Sequence, residues 1–211
     1  MTRGVNLGCG KVIMPCVQPA HHNLLPLEIY QATDTVWDNV DMHANAGVNL
    51  VADIFRYPWP LESDTYDVAL ASHILEHIPH GVIRHGQLES LVGGWWAWWE
   101  EVGRVLKPGG VIYCLVPYAF SLSGMSDPTH TRYLTHQTFG YFMPDPTAPF
   151  DYHLKYKWEV IYGIIMGFTD SIALQAMDEI PEAKQNAWMV DQSTHHLDVC
   201  REFAVGLRVL K

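Results

Sequence analysis

Two nearly continuous apolar runs, Tyr66–Ser72 (YDVALAS) and 111–117 (VIYCLVP), constrain this chain most. A strand with one wet face alternates apolar and polar residues. A run that stays apolar belongs to a strand buried on both faces, as in a parallel sheet. Parallel strands need a long crossover, and the stretch between the two runs supplies one. Leu88, Leu91, Val92, Trp95, Trp99, Val102 and Leu106 share one face at helical spacing, which predicts a helix over 87–106. Lys107-Pro108-Gly109-Gly110 is predicted to stop it. Further short strands are read at 4–7, 37–41 and 48–52. The second half reads as a short helix over 134–141 capped by Thr135, a strand over 158–162, a helix over 170–180 and a strand over 198–210. Strands alternating with such connections predict an α/β open sheet, and 211 residues suit one domain, 1–211.

The net charge of −10 argues against naked nucleic acid as a partner, because phosphate binding rests on clustered Lys and Arg, and the 13 basic residues here are scattered. A small molecule, glycan or protein is the expected partner. Cys9, Cys16, Cys114 and Cys200 form no C-x-x-C pair and read as reduced thiols of a cytoplasmic protein. No signal peptide is read, and no apolar run approaches the roughly 20 residues of a membrane span.

The run before the first loop, NLGCGK, puts Gly8 and Gly10 at the end of a strand, where backbone N–H groups can approach a nucleotide-bearing ligand. A pyrophosphate fingerprint needs a third glycine, and Ile13 stands there instead. Asp41 ends the second strand, where a carboxylate can accept two ribose hydroxyls, and Asp53 ends the third.

Across residues 4–142 and the final strand the chain resembles the class I S-adenosylmethionine-dependent methyltransferases, specifically their small type 11-like group. The matching stretches are VNLGCGK, NVDMHANAGVNLVADIFRYPWP, YDVALASHILEHI, RVLKPGG, VPY and DPTHTRYLTHQTF. The resemblance implies a Rossmann-like seven-stranded, mostly parallel sheet of order 3-2-1-4-5-7-6, the last strand antiparallel, with helices on both faces. It implies S-adenosyl-L-methionine as cofactor, held by Asn6, Gly8, Cys9, Gly10, Asp41, Met42, Asp53, Ile54, Ser72 and His73. Methyl transfer to a small molecule, sugar or lipid precursor is the expected activity. Residues 11–33 depart from the family as an irregular, proline-rich insert, expected to cover the cofactor. The loop after the fifth strand, within an acceptor side spanning 118–195, offers Tyr118, His130 as base and Arg132 as anion holder, with His73 facing the methyl. Mutual anchoring of His130 and Arg132 through Asp127 is the competing expectation.

Two alternatives stand beside this. One is a non-catalytic cofactor-binding module or partner subunit. The other, remote, is a zinc hydrolase, because His73-Ile74-Leu75-Glu76-His77 matches H-x-x-E-H. A zincin places that motif inside a long helix, whereas here it follows a strand and Pro79 ends any helix, so no metal is predicted. The pairs His21-His22 and His195-His196 read as solvent loops. In WWAWW, Trp95 and Trp99 read as core, and Trp96 and Trp98 as a boundary or a homodimer patch.

Overall fold

The computed structural model describes residues 2–15, 34–81, 83–84, 87–88, 93–143, 155–166, 180–181, 184–185, 187–188, 191–192 and 200–211. In chain order the strands are β1 (Thr2–Leu7), β2 (Thr35–Asp41), β3 (Leu50–Val51), β4 (Arg56–Tyr57), β5 (Tyr66–Ser72), β6 (Ile83–Arg84), β7 (Gln87–Leu88), β8 (Leu106–Pro117), β9 (Lys157–Met166) and β10 (Glu202–Leu210). The described helices are α1 (Gly93–Val105) and α2 (Leu122–Ser126), with a 3-10 turn before them at Leu75–His77 and another after them at His136–Phe142.

Seven strands form one sheet in the order β3-β2-β1-β5-β8-β10-β9. β1 pairs parallel with β2 and β5, β2 with β3, and β5 with β8. β10 runs antiparallel to both β8 and β9. This is the expected order and polarity. The apolar runs behave as double-faced burial requires: Ala69, Leu70 and Ala71 of β5 and Cys114, Leu115 and Val116 of β8 are all buried.

The crossover departs from expectation at both ends. Gln87–Leu88 is strand β7 of a separate three-stranded sheet, β4-β6-β7, and the helix is described from Gly93. The Lys107–Gly110 stop lies inside β8, where the register against β5 shifts between Tyr66 and Val68 and Gly109 takes φ 77°. Trp98 is not a surface residue: it is 0% exposed, edge-on to Trp59 at 5.8 Å and to Trp99 at 5.1 Å. A homodimer patch at Trp96 and Trp98 therefore loses Trp98, because α1 is covered on more than one side, while Trp96 packs against Phe142 at 5.6 Å. The expected helix over 170–180 lies outside the described residues except for Ile180, as do 16–33 of the insert and both histidine pairs. Among the described residues no helix is long and apolar enough to cross a membrane.

The start of α1 presses on the chain that leaves the 75–77 turn. A Cβ on Gly94 would stand 2.0 Å from the Pro79 carbonyl oxygen, a backbone atom. Alanine normally gains up to about 1 kcal/mol over glycine inside a helix, and forced overpacking costs about 1–3 kcal/mol. The clash wins, so Gly94→Ala should lower the urea midpoint. A raised midpoint would show that α1 does not pack this closely.

Candidate functional site

β1 ends at Leu7, and the chain turns through Gly8 (φ 65°) and Gly10 (φ 52°), a region in which a Cβ is strained. A Cβ on Gly8 would meet Ile74 Cδ1 at 2.2 Å, whereas one on Gly10 would meet no atom of the described residues within 4 Å. Among the described residues, Gly10 therefore presents bare backbone to the space beyond the carboxyl end of β1. That is where ligands bind in open α/β sheets.

The loop is held from below and from the side. Cys9 N–H donates to Val40 O (3.0 Å), and Gly10 N–H donates to Asp41 Oδ2 (2.8 Å). Asn6 is buried, its Nδ2 donating to Val12 O (2.7 Å) and Asn39 Oδ1 (3.0 Å). These bonds make Asn6 a residue that positions the loop. Asp41 Oδ1 accepts the His43 N–H (2.8 Å). Each carboxylate oxygen has a second lone pair, so Asp41 keeps acceptor capacity beside Gly10. Burial first, and then the charge of Asp41, push the Cys9 thiol up to about 11. It stays protonated near neutrality, which suits packing and not nucleophilic attack.

Asp53 sits one strand further out, with Oδ1 accepting the Phe55 N–H (2.9 Å) and Oδ2 facing Arg56 Nε (3.2 Å). Ile54 is buried, and Met42 is 56% exposed next to Asp41. On the neighbouring strand, Ser72 ends β5 and His73 follows with φ 54°, left-handed for a non-glycine residue. Backbone strain of this kind concentrates at functional sites. His73 Nδ1 lies 3.4 Å from Glu76 Oε1, and Nε2 lies 3.8 Å from Glu202 Oε1. Burial disfavours the charged ring, yet the pull of Glu76, with Glu202 adding, raises its pKa above the ordinary histidine value.

The H-x-x-E-H stretch does not lie in one α-helix. It runs off β5 and only Leu75–His77 form a 3-10 turn, so His73 and His77 are not spaced as two ligands on a helical face. The turn instead anchors the DPTHTR segment. Thr131 N–H and Arg132 N–H both donate to Glu76 O (2.8 and 3.1 Å), and Thr131 Oγ1 donates to Ile78 O (2.6 Å). His130 donates from Nδ1 to Gly124 O (2.8 Å), and its side chain is only 7% exposed. The Arg132 guanidinium lies 5.0 Å from the Trp95 ring centroid and reaches Pro79 O at 3.5 Å; burial lowers its pKa. Both side chains thus serve the segment's own anchoring, and His130 Nε2 stands 3.8 Å from Asp127. Tyr118 is buried, its hydroxyl 3.4 Å from His136 Nδ1. The sequence reading did not single out Glu202, nor the burial of Glu76. For Glu76 the signal was present: it stands between Leu75 and Ile78, which are core residues.

No protein-family model matches the chain, and no curated protein sequence matches it. Solved structures do. A SAM-dependent methyltransferase from Archaeoglobus fulgidus aligns with a TM-score of 0.52 at 16% identity, over 98% of this chain and 86% of that one. The [4+2]-cyclase SpnF aligns at 0.51 and 15% identity, over 98% and 74%. Geranyl diphosphate C-methyltransferase from Streptomyces coelicolor A3(2), solved with Mg2+, geranyl diphosphate and S-adenosyl-L-homocysteine, aligns at 0.50 and 10% identity, over 99% and 73%. From its strand order, its strand polarity and these likenesses, the chain has the fold of the class I S-adenosylmethionine-dependent methyltransferases.

Proposed function

We propose that this chain binds S-adenosylmethionine and transfers its methyl group to a small molecule, sugar or lipid precursor, as a member of the small type 11-like group. The observation that carries the reading is the Gly10–Asp41 unit: bare backbone with no described atom where a Cβ would stand, tied at 2.8 Å to a carboxylate with lone pairs to spare. When bound, the cofactor supplies an electrophilic methyl on a sulfonium. Asp41 accepts the ribose hydroxyls. Gly10 leaves room for the methionine end, Gly8 lets the loop turn tightly over Ile74, Asp53 and Ile54 border the adenine end, and Met42 closes over it. Ser72 and His73, at the end of β5, border the side on which the acceptor stands.

Little more is asked of the protein than to hold the acceptor in line, since orientation alone is worth several kcal/mol of barrier. The described cysteines carry no disulfide, which fits a reducing, cytoplasmic setting. A cofactor-binding module without transfer activity is the second reading. It is favoured by the engagement of His130 and Arg132 in anchoring, which leaves neither displayed as base or clamp.

Calorimetry tests the proposal. S-adenosylhomocysteine should bind at one per chain and NAD should give no heat. Absence of S-adenosylhomocysteine binding from micromolar to millimolar concentrations would contradict both readings. Methyl transfer from labelled S-adenosylmethionine to any member of an acceptor panel would decide for the first.

A further inference from the structure

Glu76 is the least explained side chain in the protein. It is 2% exposed, and among the described residues neither carboxylate oxygen has a hydrogen-bond partner. A buried carboxylate without donors is expensive, and removing charge from water is recovered only by a well-placed opposite charge. His73 Nδ1, at 3.4 Å, approaches Oε1 without hydrogen-bonding it.

Two other imidazoles face the same carboxylate. The ligand atoms of Glu76, His77 and His130 all lie within 4.8 Å of one another, with His77 Nε2 4.0 Å from Glu76 Oε1. The hydrogen bonds of the two rings fix which nitrogen is available. His130 Nδ1 is 2.8 Å from Gly124 O, a group that can only accept, so Nδ1 carries the proton. His77 Nδ1 is 3.3 Å from Thr129 O, again an acceptor. It is also 3.2 Å from Thr129 Oγ1, whose own proton goes to Asp127 Oδ1 at 2.6 Å. His77 therefore turns Nε2 toward Glu76 with Nδ1–H spent on the backbone, and His130, whose Nδ1–H is spent in the same way, keeps Nε2 as the nitrogen a ligand can use. This is the outer-shell arrangement that orients metal-bound histidines.

We infer that Glu76, His77 and His130 form a site for a divalent transition ion of the zinc class. Two imidazole nitrogens and one carboxylate suit zinc or ferrous ions far better than magnesium or calcium. Tetrahedral binding at about 2.0–2.1 Å puts donors about 3.4 Å apart. The three donors, at most 4.8 Å apart, need to close by up to about 1.4 Å, within the reach of side-chain torsions. Asp127 Oδ2, 3.8 Å from His130 Nε2 and exposed, offers a further ligand at the rim. The ion would neutralise Glu76 and clamp the Asp127–Arg132 segment to the 75–77 turn. The ligand set is not the H-x-x-E-H pattern, since His73 is outside it and His130 comes from another loop. Nor does it rest on methyl transfer, because the site stands whether or not the chain binds S-adenosylmethionine.

The test uses the full chain, stripped with a chelator and titrated with Zn2+ alone by calorimetry, with thermal melts in parallel. One equivalent should bind and raise Tm, and Co2+ should give the visible absorption of a low-coordinate site. His77→Gln, at the half-exposed rim, should fold as the parent does and bind Zn2+ at least tenfold more weakly. His130→Gln should do the same, and His43→Gln, exposed and outside the cluster, should change nothing. Absence of a one-equivalent event in the parent overturns the inference. So does Zn2+ binding of equal strength in folded His77→Gln, which would assign the metal to other histidines.

Discussion

Trp99→Ala should lower the free energy of unfolding by about 3–5 kcal/mol, the range for truncating a large buried aromatic. Trp99 is 0% exposed and joins three elements. From α1 its ring meets Phe139 (6.2 Å) and Phe142 (4.6 Å) of the 136–142 turn and Trp158 (5.3 Å) of β9. Trp95 and Trp98 flank it edge-on within its own helix. Five rings around one cavity cannot all collapse into it, so the loss should fall at the upper part of the range. Among the described residues its Nε1 has no hydrogen-bond partner, so Trp99→Phe removes a stranded donor along with packing and should cost much less than alanine. Urea unfolding measures both. A loss below about 1 kcal/mol for alanine would mean that the aromatic cluster is not the structural centre of this half of the protein.

Asp41→Ala should weaken S-adenosylhomocysteine binding by at least tenfold. Hydrogen bonds to a charged acceptor are worth about 1.5–3 kcal/mol each, and about 1.4 kcal/mol is already a factor of ten. The structure adds a second route to the same loss. Asp41 also accepts the Gly10 and His43 N–H groups, so alanine frees the loop that must receive the ligand. Asp41→Asn keeps an acceptor oxygen and should fall between parent and alanine. Calorimetry reads the affinities, and circular dichroism should show the fold retained. Unchanged affinity in folded Asp41→Ala would move the ribose contact elsewhere.

The sheet was legible because double-faced burial writes itself locally. Tyr66–Ser72 is apolar whatever its neighbours are, and the structure makes it a strand over that same range. The start of the crossover was not legible. Leu88 satisfies helical spacing with Leu91 and Val92, and a strand of two residues is too short to show the alternation that would mark it. Pairing of β7 with β6 decides it, and no local signal records that. Trp98 was misplaced because a helical wheel assumes one covered face, whereas Trp59 covers a second. In the site, the glycine loop and its acids were visible as strand-end residues. The grouping of Glu76 with His77 and His130 was not, because it depends on Glu76 O accepting two N–H groups from a loop distant in sequence.

A crystal structure of the chain with S-adenosylhomocysteine tests the role of the Gly8–Gly10 loop most directly. The ribose hydroxyls should lie within hydrogen-bond distance of the Asp41 carboxylate. The ligand should pass over Gly10, where a Cβ would meet no atom of the described residues. A ligand bound elsewhere on the sheet, or crystals that stay empty at millimolar S-adenosylhomocysteine, would contradict the assignment.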